Sequence, residues 1–502
     1  MVETLNRAAN RGSVSTTYEI ENSIRLEAAD PEELHYTTGS ASSDHDKGTF
    51  AFWMKRGERG HFSPMQINEF AAPYHAGMYL QSGTGNLADR LFMDHKDNTS
   101  NWTSWMRQFR DHSAWYHFVV RVDTTLATAD DRIQLWINGV RETTFNTLDS
   151  YNSPPSQNDA HFWFDTGRKM TIGGVSSGSG YFADYHYIDG QSVAPSEFGE
   201  FDEDSGIWKP KKYGGSFGNN GFKLEFKETG TSANASGIGA DTSGNGHHFT
   251  LINIDAENQC TDTPTNNFCT LNPNDRTVST TYDGQLKDGN LEYQPESGYS
   301  MVRGTMGMTK GKWYWEIKVA SNAGHNFGVC TANMDIPITS TQEGGWIGAS
   351  TVGDAHVFSL YANSAYRSYF FYDGSNSNSA VSFASGTFAN NDIFGFAFDA
   401  DNLDIYISKK GSWTDVKASQ DPEGDPGSNT AHVYHASFNN DENEPWLPIV
   451  SNTYNQDMHL NFGNPIHSIT SGNTDANGYG NFEYAVPSGY YALCTKNLAE
   501  FG

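Results

Sequence analysis

A two-residue rhythm of large side chains constrains this chain more than any other feature. In Trp115-Tyr116-His117-Phe118-Val119-Val120 and in Lys312-Trp313-Tyr314-Trp315-Glu316-Ile317, aromatic and β-branched residues succeed one another without a helical period. Successive residues of a strand face opposite sides of a sheet, so such runs suit strands packed on large rings. Each run leads a half of the chain that reads as its own antiparallel β-sandwich. The expected fold class is therefore all-β, with two sandwiches in tandem. At 502 residues the chain exceeds what one core usually serves, and sandwiches commonly run to roughly 200–250 residues. Fifty glycines and 14% aromatic residues suit short strands joined by tight turns.

Further strands are expected at 22–30, 48–55, 77–81, 90–95, 115–123, 169–174, 181–188 and 221–227. Arg132–Ile137, Asn138-Gly139 and Val140–Thr143 form the clearest hairpin, because Asn-Gly supplies the positive φ angles of a type I′ turn. The second half continues near 311–320, 325–331, 356–361, 366–372, 392–399, 403–408 and 457–463. Between the halves, 229–262 is rich in Gly, Ser, Thr and Asn and reads as a linker. The expected division is an N-terminal arm at 1–19, a sandwich at 20–228, that linker, and a second sandwich at 263–502. No heptad pattern is visible.

The formal charge of −28 repels nucleic-acid phosphates and anionic lipid surfaces, and no run of about 18 apolar residues occurs, so neither nucleic acid nor membrane insertion is expected. Cys260, Cys269, Cys330 and Cys494 are too scattered for a disulfide framework and contain no CxxC pair, so free thiols are expected. The start, Met1-Val2-Glu3-Thr4-Leu5-Asn6-Arg7, lacks the apolar core of a signal peptide, which predicts folding in a cytoplasm.

Residues 20–228 resemble the laminin G-like, concanavalin A-type jelly roll. The resemblance rests on Ser113–Asp123, Asp131–Gly139, Thr171-Ile172-Gly173-Gly174 and Tyr181-Phe182-Ala183-Asp184. The second half resembles a SPRY domain in Gly311–Ile317, Phe327-Gly328-Val329, Phe394–Asp399 with Leu403–Ile407, Trp446–Val450 and Asn461-Phe462-Gly463. It departs from that family after Ser408, where Lys409-Lys410-Gly411-Ser412-Trp413 replaces an Asn-Gly turn. Tyr185–Ser192, Pro195–Glu200, Thr263–Pro273 and Ala492–Thr495 are similar to segments of two-domain virion proteins of tailed, often marine, bacteriophages. That last resemblance implies a virion location, phage structural proteins as partners, and a tail-fibre or receptor-binding role, with a head fibre or capsid decoration protein as the alternative. Homo-oligomers are expected of such components.

Candidate chemistry is sparse. Glu200, Asp202 and Asp204 alternate as in some jelly-roll glycosidases, which would make the protein a glycan depolymerase, but their neighbours are loop formers. No nucleophile elbow, P-loop or dinucleotide fingerprint occurs, so no enzyme and no cofactor is expected. Asp399, Asp401 and Asp404, and separately Asp241 and Asn245, offer hard oxygen ligands for a structural calcium, yet these are ordinary turn residues too. Sugar rings call for an aromatic platform beside polar partners. Trp102 and Trp105, Tyr366 beside Arg367, and above all Trp413 beside Asp415 are the candidates, Trp413 because its neighbours cannot build a core strand.

Overall fold

In the computed structural model the residues described are 18–27, 32–57, 60–67, 76–81, 85, 88–94, 102–149, 152–160, 163, 165–173, 178–277, 284–295, 300–321, 325–336, 356–362, 367–373, 389–413, 426–427, 434–435, 444–452 and 457–502. The arm up to residue 17 lies outside them. The chain forms two compact units, with the boundary between Thr265 and Asn266.

In the first unit, one sheet runs in the order Val140–Glu142, Ile133–Ile137, Trp115–Asp123, Lys47–Arg56, Ser179–Asp189, Ser23–Glu27 and Gln259–Cys260. Phe222–Leu224 also pairs with Ser179–Asp189. The other sheet runs Thr250–Ile252, Glu33–Thr37, Lys169–Gly173, Phe62–Ile67, Ala76–Leu80, Leu91–Asp94 and Trp102–Ser104. Phe50, Phe52 and Met54 alternate inward onto Phe118, Val120 and Val122 to build the core between the sheets. The expected hairpin is present, with Asn138 at φ 48° and Gly139 at φ 76°. A β-carbon on Gly139 would strike the Trp208 ring, so glycine is needed there twice over.

The outer face of this first sheet is buried as well. Val193, Phe198, Tyr213 and Phe217 cover Ala51, Val119 and Ile188, while Tyr18, Ile20 and Trp208 cover Trp53, Trp115 and Tyr181. A strand buried on both sides keeps its period of two but loses the polar face that usually marks it.

The second unit pairs a sheet of Leu271–Arg276, Ser300–Gly304, Trp446–Asn452, His325–Thr331, His356–Ala362 and Arg367–Asp373 with one of Gly284–Lys287, Glu292–Pro295, Met458–Asn461, Lys312–Val319, Ile393–Asp399, Asp404–Lys409 and Tyr434–His435. Every named pairing in both units is antiparallel except that of Tyr491–Ala492 with Lys312–Val319. Trp313, Trp315, Ile317 and Val319 enter the core, and Tyr314 faces a second cluster with Phe268, Phe482, Tyr490 and Cys494. The fold is all-β, as the alternation predicts. The α-helix among the described residues is Thr495–Phe501, and no helix there is long and apolar enough to cross a membrane. All four cysteines are free and buried.

The expected linker at 229–262 is instead part of the first sandwich. Ile238, Phe249 and Ile254 enter its core, Thr250–Ile252 extends one sheet and Gln259–Cys260 the other. Its small polar residues serve tight turns rather than flexibility. Asp241, 7% exposed, accepts from the backbone N–H groups of Lys223, Ser243 and His247 and from the Ser243 hydroxyl, drawing the glycine loop closed.

Candidate functional site

Strand Ser179–Asp189 pairs along one edge with Lys47–Arg56, but two short strands share its other edge. Ile24–Glu27 covers Ser179–Phe182, and Phe222–Leu224 covers Tyr185–Tyr187. Ala183 and Asp184 fall in the gap between them. The register on the first edge also jumps between Ala183 and His186, and Asp184 stands at φ 46°. A bulge of this kind re-aims a side chain, and a non-glycine residue in the left-handed region costs energy that surrounding contacts must offset.

Those contacts come from three places in the chain. Tyr18 Oη donates to Asp184 Oδ1 at 2.9 Å, and Lys223 Nζ donates to Tyr18 Oη at 2.8 Å and to Glu225 Oε1 at 2.8 Å. Lys223 Nζ also lies 3.3 Å from Asp184 Oδ1, and Lys227 Nζ lies 3.3 Å from Glu225 Oε2. Burial, with the Asp184 charge behind it, holds the Tyr18 phenol far above its ordinary range. Burial by itself would weaken the Lys223 ammonium, but Asp184, Tyr18 and Glu225 outweigh it and raise its pKa. Neutral phenol and charged ammonium are both fixed near pH 7. Beside this group opens a cavity of about 220 Å³, lined by Tyr18, Asn22, Asp184, Glu225 and Lys227 among others.

None of these residues was singled out by sequence reasoning. A faint signal existed: Ala183-Asp184 interrupts the run of large side chains between Phe182 and Tyr185. The partners at 18 and 223 leave no local trace.

The sequence candidates fare differently. Trp105 is 1% exposed and stacks on Phe145, so it is core, not a platform. Trp102 is half-buried in an edge strand with its indole N–H donated to Asp149. Trp413 is half-buried too, packed edge-on against Tyr314 with ring centroids 6.3 Å apart. The expectation of a freely exposed ring fails there because Lys410 (φ 52°) and Gly411 (φ 76°) make a two-residue turn that folds Trp413 back onto the sheet. Lys-Gly thus does what Asn-Gly does elsewhere. Asp415 and Tyr366 lie outside the described residues, and Arg367 is described only as a member of its strand.

The calcium candidates are committed within the protein. Asp399, fully buried, accepts from the N–H groups of Asp401 and Asn402 and pairs with Lys312 at 2.9 Å. Asp401 accepts from the Gly311 N–H, Asp404 is buried opposite Asp399, and Asn245 donates to the carbonyls of Gly218 and Gly221. Among the described residues no group of three or more His, Cys, Asp or Glu side chains is arranged to hold a metal ion. Glu200 lies on the strand Gly199–Phe201, paired with Trp208–Pro210, and Asp202 and Asp204 lie in the turn between those strands. Asp202 accepts from the Ser205 N–H and hydroxyl, which hold its carboxyl below the ordinary range, the opposite of what a general acid needs.

No family profile and no curated protein matches the chain. Solved structures that do match include the PSpry domain of TRIM65, 14% identical over 38% of this chain and 88% of that one, with a TM-score of 0.26. The SPRY domain of human HERC1 is 11% identical over 38% and 96%, with a TM-score of 0.24. A heptameric SAP-like pentraxin from Limulus polyphemus is 14% identical over 36% and 80%, also at 0.24. Each of these likenesses covers little more than a third of the chain.

Proposed function

We propose that this protein is a non-enzymatic structural component of a tailed-phage particle, a tail-fibre or receptor-binding protein whose first sandwich contacts host surface glycans. The segments similar to phage virion proteins motivate the setting, and the polar cavity at Asp184 carries the binding role. Tyr18, Asp184 and Glu225 on its wall are held by one another and by Lys223 before any ligand arrives, which lowers the ordering cost of recognition.

The end of the same strand is braced by hydrogen bonds too. Asp189 accepts from Ser42 Oγ at 2.5 Å and from the N–H groups of Ser43, Asn219 and Asn220 at 3.0–3.1 Å, tying two loops to one strand end. The chain's negative charge favours neutral surface sugars over nucleic acid as partners. Homo-oligomerisation and attachment to other phage structural proteins belong to the same reading.

The test is competition: purified protein, added to host cells before phage, is expected to slow adsorption in proportion to its concentration. Unchanged adsorption at saturating protein, together with labelling of the capsid by a specific antibody, would replace this reading with capsid decoration. Release of reducing sugar from host envelope would replace it with a depolymerase.

A further inference from the structure

The cavity at the Asp184 bulge has the size and polarity of a monosaccharide subsite. At about 220 Å³ it falls below the roughly 300–1,000 Å³ of sites for drug-sized ligands, a size that suits one ring. Its walls mix carboxylates (Asp184, Glu225, Glu21), an ammonium (Lys227), an amide (Asn22) and a phenol (Tyr18). Sugar hydroxyls donate and accept at once, and such a mixture answers both halves of that demand.

Asp184 is the focus. It is 4% exposed, and among the described residues the contacts of its carboxylate, from Tyr18, Lys223 and His186, all fall on Oδ1. Its Oδ2 is therefore the oxygen with capacity for a ligand hydroxyl. Charge selects among sugars. Glu19, Glu21, Asp184 and Glu225 line the cavity against Lys227, with Lys223 behind, so the field is net negative and repels sialic or uronic acids.

We propose that this cavity binds a single uncharged sugar ring, with Asp184 Oδ2 and Asn22 receiving and donating to its hydroxyls and Lys227 closing the rim. The proposal rests on the receptor-binding reading above and narrows it to one site and one ligand class.

Saturation-transfer NMR on the full-length chain tests it, with methyl α-glucoside, methyl α-galactoside, N-acetylglucosamine and N-acetylneuraminic acid as probes. At least one neutral sugar is expected to give signal and the acid none. Asp184→Asn should weaken binding by about tenfold. Because Asp184 also pairs with Lys223, Asn22→Ala and Lys227→Ala serve as variants at more exposed positions that leave the sandwich intact. Binding by a neutral sugar that neither rim variant weakens would move the site elsewhere and overturn the proposal. Equal binding of the acidic sugar would overturn the charge argument. Silence from all three neutral probes would also overturn it, while the adsorption competition would still decide the receptor reading independently.

Discussion

The two sandwiches bury a polar group on the outward face of their central strands, and they stabilise it by opposite means. In the first, Lys55 on Lys47–Arg56 is 1% exposed and its Nζ meets the fully buried Asp262 at 2.8 Å. The second oxygen of Asp262 accepts from the Trp115 indole N–H at 2.9 Å. In the second sandwich the counterpart is Glu316 on Lys312–Val319, fully buried and, among the described residues, bonded to no cation. Tyr314 Oη, Asn461 Nδ2 and the backbone N–H groups of Glu483 and Tyr484 donate to it at 2.8–3.2 Å. One sandwich closes a charge with a charge, the other with dipoles. Burial raises the Glu316 pKa despite those donors, so protonation can relieve it.

The sharpest way to break this contrast is to orphan one member of the pair. Lys55→Met leaves Asp262 buried without its cation and should cost the first sandwich about 3–5 kcal/mol by urea unfolding. A double variant with Asp262→Asn should recover much of the loss. A loss from Lys55→Met no larger than an exposed-site change would show that water reaches Asp262.

On the other side, Glu316→Leu removes an acceptor from four donors and should cost the second sandwich about 3 kcal/mol, while Glu316→Gln keeps one acceptor oxygen and should cost about 1 kcal/mol. Equal losses would mean that shape, not hydrogen bonding, holds the segment at 483–484.

A smaller effect is expected at Trp413. Its half-buried ring makes Trp413→Ala worth about 1–2 kcal/mol of stability, below the roughly 3–5 of a fully buried aromatic. Host adsorption should not change. Reduced adsorption with an unchanged thermal midpoint would return Trp413 to the binding surface.

Acidity separates the units most finely. His117 in the first is buried, accepts from the Trp208 indole N–H at 3.1 Å, and has its pKa pulled down to about 3 by burial and then by His186. Its contribution is present above pH 6.5 and is lost as pH falls toward 3. Glu292 in the second is pushed up to about 7 by burial and then by Asp288 and Asp457, so its contribution is present below pH 4.5 and is lost as pH rises through 7. His325, pulled down to about 4, opposes it within the same unit. The clean measurements are therefore differences: His117→Gln should flatten the acid limb of the first unit, and Glu292→Gln the neutral limb of the second. Each should move a midpoint by about 2–4 °C, corresponding to about 1 kcal/mol for a domain of this size. Parallel pH profiles for variant and parent would refute either assignment.

Much of the architecture was legible because alternation is a local property. Trp115–Val120 and Lys312–Ile317 are strands, Asn138-Gly139 is their kind of turn, and the strands expected at 181–188 and 392–399 are found at Ser179–Asp189 and Ile393–Asp399. The candidate site was not legible. Trp413 and Trp105 looked like platforms because neighbouring polarity is a poor guide to burial when a distant segment folds over the ring. The polar stretch at 229–262 looked like a linker because its buried anchors, Ile238, Phe249 and Ile254, are few and widely spaced.

The sequence by itself determined the period of the strands, the all-β class, the presence of two cores and the free state of the thiols. Tertiary structure alone decided which face each strand turns outward, what covers that face, and where the polar cavity opens. The reason is distance along the chain. Tyr18 meets Asp184 across 166 residues and Lys223 across 205. Each of those side chains is an unremarked polar residue until strand pairing leaves a gap at Ala183-Asp184 and burial makes the three depend on one another.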